Sequence, residues 1–242
     1  MKYVGIDACK SGWVAVILGE DREVCEVYST IADMWNSHKD AQRIFIDIPV
    51  GLAAHGDRLA DAEMRRALPR GFKSSIFNTP VRDAVHARSK GAAKSINKKL
   101  TGKSLSEQSL GICQKIREVD LWLQDNRSAW ERIHESHPEA CFYLCAGHAL
   151  GYGKKDFLGS LERLRIIEKH IPRAERMLMS VRNEHSRTNV AADDVLDAMI
   201  LAVTARECKG VPHFFPAGLD EPPRDETGLP MAIWYHDFTN IL

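Results

Sequence analysis

Several patterns that assign a biochemical function directly are missing from this sequence of 242 residues. It contains neither the phosphate-binding pattern GxxxxGKS/T nor the dinucleotide-binding pattern GxGxxG. The GxSxG turn that presents a nucleophilic serine is also absent, as are repeats and low-complexity linkers. These absences remove the sequence support for P-loop enzymes, dinucleotide-dependent enzymes and serine hydrolases.

An excess of charge of one sign and long apolar runs are absent as well. The 33 Lys and Arg residues balance the 33 Asp and Glu residues, so no overall field attracts nucleic acid or a membrane surface. No apolar stretch reaches about 18 residues, and the opening MKYVGIDACK has no signal-peptide core. We therefore expect a cytoplasmic protein that does not enter a membrane.

Cysteine is sparse, with six scattered residues. Without a secretory signal, these cysteines are predicted to be reduced thiols and not a disulfide framework. The composition, 44% hydrophobic, is sufficient for a large core in one domain, or in one domain with an insertion.

The first fifty residues predict four strands and one helix. The runs at 2–8 and 12–18 are joined by the polar DACKSG, which favours a β-hairpin. The run EVCEVYS alternates apolar and polar residues, a short helix follows at Ser29 or Thr30, and RIFIDIP is an unbroken apolar run. The order β-β-β-α-β, with a fourth strand buried on both faces, indicates an α/β fold with helices on both sides of a sheet.

The rest of the chain is predicted to be mainly helical. Helical spacing of apolar residues occurs in GDRLADAEMRRAL, SEQSLGICQKIREVDLWLQDN, DFLGSLERLRIIEKHI, RAERMLMSVRN and AADDVLDAMILAVTARECKG. WERIHES is predicted to be a fifth, central strand before the short helix PEACFYLCAG, and MAIWYHD a last strand. Residues 69–104 are rich in Gly, Pro and Ser and are predicted to be irregular. We predict one domain over 1–242, with a basic helical and loop insertion at about 53–128.

Acidic residues occupy unusual positions in these elements. Asp7 lies among apolar residues of the first strand, and Asp47 closes the fourth. Asp194 and Asp197 are three positions apart and share a face of the late helix. The helix dipole accounts for acids in the first turn, but Asp197 lies further along a helix that is otherwise apolar. Because clustered carboxylates are costly to bury without a cation, and oxygen ligands suit Mg²⁺ or Mn²⁺, these residues are candidate metal ligands.

A basic stretch lies within the predicted insertion. Between Arg65 and Lys103 there are eleven Lys or Arg residues and one acid, Asp83. Such a stretch can follow a phosphate backbone, or it can be a solvated surface segment. The residues leave both interpretations open.

The stretch HESHPEACFYLCAGH contains three His and two Cys. Its spacing matches no common zinc pattern, and Cys141 and Cys145 lie on one apolar helix face, so a role in the core is favoured over a zinc site. Glu135 closes the predicted fifth strand, where its side chain is expected to face the sheet edge that carries the two strand aspartates.

Together the motifs resemble the domain-of-unknown-function 429 family, usually described as predicted RNase H-like nucleases. The resemblance runs nearly end to end, through GIDACKSGWVAV (5–16), FIDIPVGL (45–52), RLADAEMRRAL (58–68), SSIFNTPVRDA (74–84), LSEQSLGICQKIREVD (105–120), ESHPEACF (135–142) and DDVLDAMILAVTA (193–205). It implies an RNase H-like fold, a mixed five-stranded sheet with three leading antiparallel strands, flanked by helices. The hairpin DACKSG is also similar to the phosphate-binding hairpin of the actin and sugar-kinase superfamily.

The late helix also resembles the DxxDA helix of Holliday-junction resolvases, which supplies metal-binding carboxylates. By this likeness the catalytic metal ligands, for Mg²⁺ or Mn²⁺, would be Asp7, Asp47, Asp194 and Asp197. The family motif beside them adds Glu135 and Glu139 as catalytic candidates and His137 as a substrate contact.

We therefore predict a metal-dependent nuclease that hydrolyses phosphodiester bonds of DNA or RNA. Candidate contacts to the phosphates of the substrate are Lys10, Ser11, Arg58, Arg65 and Arg82. Two alternatives stay open: a nucleotide-binding or phosphotransfer protein of the actin and sugar-kinase type, and a non-catalytic binding protein with an RNase H-like fold. The first alternative normally requires a second phosphate-binding hairpin, which we do not find in the sequence.

Overall fold

Two units of structure make up the described chain. The computed structural model describes residues 1–20, 22–69, 76–208, 210 and 212–238. The first unit contains Met1–Asp47, Glu131–His213 and the segment that starts at Trp234. The second unit contains Ile48–Trp130 and Phe214–Ile233.

The first unit is built on a mixed sheet. Its strands are β1 (Tyr3–Cys9), β2 (Gly12–Leu18), β3 (Glu23–Tyr28), β4 (Arg43–Ile46) and β5 (Ile133–Glu135). The strand order is β3-β2-β1-β4-β5. The first three strands pair antiparallel, and β4 pairs in parallel with both β1 and β5. This arrangement confirms the predicted α/β class and is consistent with an RNase H-like fold.

The position of the fifth strand differs from the prediction. We expected WERIHES to supply a central strand, but β5 comes last in the strand order of the five-stranded sheet. β5 has only three residues, as is common for an edge strand, and the next residue, Ser136, forms an isolated parallel bridge with Trp234.

The described residues contain nine α-helices and a short 3-10 helix (Arg127–Ala129). The α-helices are α1 (Ile31–His38), α2 (Leu59–Ala67), α3 (Arg82–Val85), α4 (Lys90–Thr101), α5 (Glu107–Asp125), α6 (Pro138–Ala146), α7 (Phe157–Glu168), α8 (Ala174–Glu184) and α9 (Ala192–Glu207). The predicted start of the first helix is confirmed, because the Thr30 side chain caps α1 by accepting a hydrogen bond from the Asp33 amide. A second, two-stranded sheet pairs β6 (His213–Phe215) with β7 (Ile233–Tyr235). Within these residues, no helix has both the length and the apolar character that a bilayer crossing requires.

Helix α9 is the centre of the hydrophobic core in the first unit. It packs on β1, β2 and β4, while α6, α7 and α8 pack against its other sides. Every residue from Val195 to Ala205 is buried. A helix surrounded in this way must be apolar on all faces, which explains why its sequence has no polar stripe.

A glycine on the central strand allows α9 to lie unusually close to the sheet. A Cβ atom added to Gly5 would lie 2.1 Å from the Ala198 carbonyl oxygen and 2.2 Å from the Ala202 amide nitrogen. Both neighbours are backbone atoms, which cannot move aside as a side chain can. Gly5 therefore fixes the contact between β1 and α9.

The basic stretch of the second unit is more regular than predicted. The prediction of irregular structure is wrong for residues 90–101, which form α4 between an N-cap at Ser89 and the left-handed Gly102. The apolar side of α4 packs in a cluster with Val81, Ala84, Leu105 and Leu110. Spaced Ala and Leu residues were sufficient for a helix because its caps and this cluster stabilise it. Arg70 and Lys73 of the basic stretch lie outside the described residues.

Candidate metal centre

Three aspartates of the first unit converge. One carboxylate oxygen from each of Asp7, Asp47 and Asp197 lies within 4.8 Å of the other two. Asp7 is 9% exposed and Asp197 2% exposed, and Asp47 is partly exposed. Three of the four predicted metal ligands thus form one cluster.

Strand register explains why two of these carboxylates meet. Ile6 of β1 is the partner of Ile46 of β4 in the parallel ladder, and the Asp47 amide continues that ladder with a hydrogen bond to the Ile6 carbonyl at 2.9 Å. Asp7 and Asp47 therefore come one position later on neighbouring strands. Because side chains alternate along strands, both point to the same face of the sheet.

Helix α9 brings the third carboxylate to that same face. Gly5 lies two positions before Asp7, and it faces Ala198 and Ala202 of the helix. Asp197 directly precedes Ala198 in the helix. Its side chain therefore lies further along β1 than the contact at Gly5, beside Asp7. The close approach at Gly5 thus sets the geometry of the cluster.

The fourth predicted ligand, Asp194, has a different contact. Its carboxylate accepts a hydrogen bond of 2.9 Å from the Ala191 amide at the N-terminus of α9, which is a capping role. Burial raises the pKa of Asp194 to about 6. Its charge also contributes to raising the pKa of Asp7, after burial and the charges of Asp47 and Asp197. Asp194 is therefore an electrostatic neighbour of the three-aspartate cluster.

Burial raises the pKa values of all three aspartates, and neighbouring carboxylates raise them further. Burial is the largest cause at Asp7, and the charges of Asp47 and Asp197 raise its pKa further. Burial raises the pKa of Asp197 to about 7, against the lowering effect of the Lys154 charge. Burial also raises the pKa of Asp47, although the charges of His137 and Lys154 lower it. Such a cluster favours any cation that can enter it.

One cation within the first unit already touches the cluster. The Lys154 Nζ atom lies 3.1 Å from Asp197 Oδ2. Burial alone lowers the pKa of Lys154, but the charges of Asp197, Asp47 and Asp7 raise it above its ordinary value, so the ammonium group is charged. The sequence prediction missed Lys154, because no local pattern links it to an aspartate 43 positions later.

The other oxygen of Asp197 lacks a hydrogen-bond partner in the described part of the chain. Asp197 Oδ1 is buried and receives no hydrogen bond from any described residue. A buried, unpaired carboxylate oxygen is costly unless a ligand compensates it. Ligands of octahedral Mg²⁺ are about 3.0 Å apart when adjacent and about 4.2 Å apart when opposite, so the three oxygens, which lie within 4.8 Å of one another, would draw together around such an ion. The three aspartates therefore fit a small, oxygen-seeking divalent cation.

Glu139, a predicted catalytic residue, is engaged in an ion pair. Both of its oxygens accept hydrogen bonds of 2.9 Å from Arg163 Nη2, and both side chains are buried. Arg163 also donates to the carbonyl oxygens of Tyr152 and Gly159. The sequence prediction missed Arg163, through which Glu139 supports the connection between α6 and α7.

Glu135 is the last residue of β5, and His137 follows two positions later. Glu135 is buried and is the register partner of Ile46, one position before Asp47, so strand alternation directs it to the opposite face of the sheet. His137 precedes α6 as its N-cap residue, and its charge lowers the pKa of Asp47. His137 therefore acts electrostatically on the three-aspartate cluster.

The predicted phosphate contacts in the first hairpin are at the surface. Lys10 and Ser11 form the exposed turn between β1 and β2. Ser11 is tied to the loop before α9, because its amide and its hydroxyl both donate to the Asn189 carbonyl, at 3.2 and 3.3 Å. Lys10 directly follows the end of β1, the strand that carries Asp7.

The three predicted arginine contacts lie in the second unit and hold it together. Arg58 is buried and pairs with Asp61 at 2.6 Å. Arg65 donates to the Ile76 carbonyl and to the Asn78 side chain. Arg82 bridges Asp120 and Asp225, at 2.7 and 2.5 Å. Each guanidinium group thus has partners within its own unit.

The cysteines of the motif HESHPEACFYLCAGH have separate neighbours. Cys141 lies 3.3 Å from the Ser136 hydroxyl, and Cys145 lies 3.3 Å from His170 Nε2. Burial raises the pKa of Cys145 to about 12, which keeps it a neutral thiol. All six cysteines of the chain are free.

Comparison with known proteins identifies one family. The sequence model of a family described as a protein of unknown function (DUF429) matches residues 5–221, a range that includes all three clustered aspartates and Lys154. No curated protein and no solved structure matches the chain.

Proposed function

The chain belongs to the DUF429 family of proteins of unknown function, and on this premise we propose that it is a divalent-metal-dependent nuclease. The proposed centre consists of Asp7, Asp47 and Asp197, with Mg²⁺ or Mn²⁺ as the cation and a phosphodiester bond of DNA or RNA as the substrate. It would be a hydrolase, not a phosphotransfer enzyme, because the proposed cation site requires no nucleotide.

The observation that carries this proposal is the unpaired oxygen in the acidic cluster. Asp197 Oδ1 is buried without a hydrogen-bond donor among the described residues, and one carboxylate oxygen of Asp197 lies within 4.8 Å of an oxygen of both Asp7 and Asp47. A purely structural cluster would be expected to satisfy that oxygen by a backbone or side-chain donor. A bound divalent cation satisfies it and also removes the repulsion that raises the pKa values.

The residues of the proposed centre would have separate roles in hydrolysis. Asp7 and Asp47, on neighbouring strands, would hold the cation from the sheet, and Asp197 from α9. When bound, the cation would lower the pKa of a water molecule and neutralise charge on the phosphate. His137, whose charge already acts on Asp47, would orient the substrate at the same end of the sheet.

The test measures metal binding and hydrolysis on matched variants. Calorimetric titration of Mn²⁺ into the nucleotide-free protein is expected to show binding, and Asp7→Asn is expected to weaken it at least about tenfold. Cleavage of labelled single- and double-stranded DNA and RNA should fall together with affinity. Asp193→Asn is the control, because Asp193 is an acid of α9 outside the three-aspartate cluster.

The outcomes separate the proposal from its alternatives. Mn²⁺ binding that appears only with a nucleotide would favour a phosphotransfer protein. Metal binding with no hydrolysis of any of the four substrates would favour a non-catalytic binding protein. A wild-type protein that binds no Mn²⁺ would overturn the proposed centre.

A further inference from the structure

The two oxygens of Asp197 have different surroundings. Oδ2 lies 3.1 Å from the Lys154 ammonium group, and Oδ1 is buried with no donor among the described residues. One oxygen of this carboxylate thus contacts an internal cation, and the other is available to a ligand. This asymmetry bears on how many metal ions the proposed centre can hold.

The connection that carries Lys154 is fixed in place by α7. The Gly151 amide donates to both oxygens of Glu162, at 3.0 and 3.1 Å. A Cβ atom on Gly159 would lie 2.0 Å from the Gly153 carbonyl oxygen, so α7 and the connection touch backbone to backbone. With the Arg163 bond to the Tyr152 carbonyl, these contacts hold the three residues that precede Lys154.

The charges of the three clustered carboxylates and Lys154, counted by themselves, balance with one divalent ion and not with two. The three carboxylates carry three negative formal charges and Lys154 carries one positive charge. The remainder is two negative charges, which one Mg²⁺ or Mn²⁺ neutralises. Two divalent ions beside the ammonium group would leave an excess of positive charge in a site where Asp197 is 2% exposed, which is unfavourable.

We propose that Lys154 takes the place of a second metal ion, so that the centre holds one divalent cation on Asp197 Oδ1 beside a fixed ammonium group on Oδ2. This inference rests on the proposed function and specifies how its centre is built. The Lys154 side chain is 37% exposed, so the same ammonium group can also meet a phosphate oxygen of the substrate from the solvent side.

The test counts metal ions. Calorimetric titration with Mn²⁺ is expected to give about one ion per chain in the wild type and about two in Lys154→Met, since removing the ammonium group leaves room and charge for a second ion. The electron paramagnetic resonance spectrum of the variant should then show a coupled Mn²⁺ pair. Lys155→Met is the matched control, because Lys155 is the exposed neighbour, and it should keep about one ion.

Two further variants distinguish an effect of the Lys154 charge from an effect of misfolding. Lys154→Gln removes the charge but keeps a hydrogen-bond donor, and it should also bind two ions. Lys154→Arg keeps the charge and should bind one. A wild type that binds two ions, or charge-removing variants that still bind one, would overturn this inference while the proposed nuclease centre stands. A wild type that binds none would overturn both.

Discussion

Asp47 ends a strand whose preceding residues, Ile44, Phe45 and Ile46, are fully buried. Its amide completes the ladder to β1, while no hydrogen bond from the described residues reaches its carboxylate. The backbone of Asp47 is therefore structural, and its side chain contributes charge to the cluster. In the metal-free protein that charge is unfavourable, because burial and the Glu139 charge raise the pKa of Asp47, and the Asp47 charge in turn raises the pKa of Asp7.

Replacing Asp47 with Asn tests this separation at the residue scale. The change keeps the shape but removes one negative charge, so we expect the metal-free variant to be as stable as the wild type or more stable. Its Mn²⁺ affinity should fall at least about tenfold, together with any nuclease activity. Thermal melts in EDTA and in excess Mn²⁺ measure both effects.

A structural role for the Asp47 carboxylate would give a different pair of melting results. If the Asp47 carboxylate accepts hydrogen bonds that stabilise the turn after β4, the variant should lose roughly 1–3 kcal/mol in EDTA. It would then gain as much stability from Mn²⁺ as the wild type does. That pair of observations would remove Asp47 from the proposed centre.

At the scale of elements, the contact between β1 and α9 sets the geometry of the centre. The helix backbone lies against Gly5, where there is no room for a Cβ atom. Asp7 and Asp197 are each within a few residues of this contact, so any shift of the helix changes the distance between their carboxylates. The site thus depends on packing that involves no ligand residue.

We expect Gly5→Ala to damage both stability and metal binding. The added methyl group must push α9 from the sheet, at a cost of roughly 1–3 kcal/mol, and Mn²⁺ affinity should fall about 10–100-fold through misplacement of Asp197. Urea unfolding and calorimetric titration measure the two effects.

Gly111→Ala is the control for that experiment. Gly111 lies within α5, where an added Cβ atom meets nothing within 4 Å, so alanine should raise stability by roughly 0.5–1 kcal/mol. If Gly5→Ala behaves like this control, the close approach of α9 to β1 is not required for the metal centre.

At the scale of the whole molecule, the proposed cation joins elements that are far apart in sequence. It would bind β1, the end of β4 and the first turns of α9 at once, and an unfolded chain offers no such site. Ligand binding to the folded state alone adds about 2.7 kcal/mol of stability at a concentration 100 times the dissociation constant. The whole molecule should therefore become more stable with metal.

This stabilisation is expected to grow with pH. A carboxyl group whose pKa is raised by folding, such as Asp197 at about 7, contributes its full stability below its unfolded value of about 3.9 and loses it as the pH rises toward the folded value. At pH 5.5 protons compete with Mn²⁺ for the cluster, whereas at pH 8 the carboxylates are ionised and repel one another. The difference in melting temperature between excess Mn²⁺ and EDTA should be larger at pH 8.

Asp7→Asn supplies the control for the pH series. It removes one ligand and one repelling charge, so it should show little gain from Mn²⁺ at either pH. A wild-type gain that is equal at pH 5.5 and pH 8 would mean that the metal binds away from the three-aspartate cluster.

The sequence by itself determined the order of the leading strands and three members of the centre. Apolar runs that contain or end at an aspartate placed Asp7 on the first strand and Asp47 at the end of the fourth, because strand patterns are local; that these two strands are neighbours came from their parallel pairing in the structure. Asp197 was identified because a carboxylate on an apolar helix face requires compensation. These inferences depend only on short stretches, because the order of apolar and polar residues within a stretch indicates its secondary structure and its burial.

Only the tertiary structure decided what surrounds those three carboxylates. It placed Lys154 against Asp197 and engaged Glu139 with Arg163, both across long separations in sequence. It also directed Glu135 to the opposite face, through a register that sets Glu135 beside Ile46. Loop contacts and strand register depend on packing between distant segments, and one residue of register reverses the side-chain direction, so no local pattern could specify them.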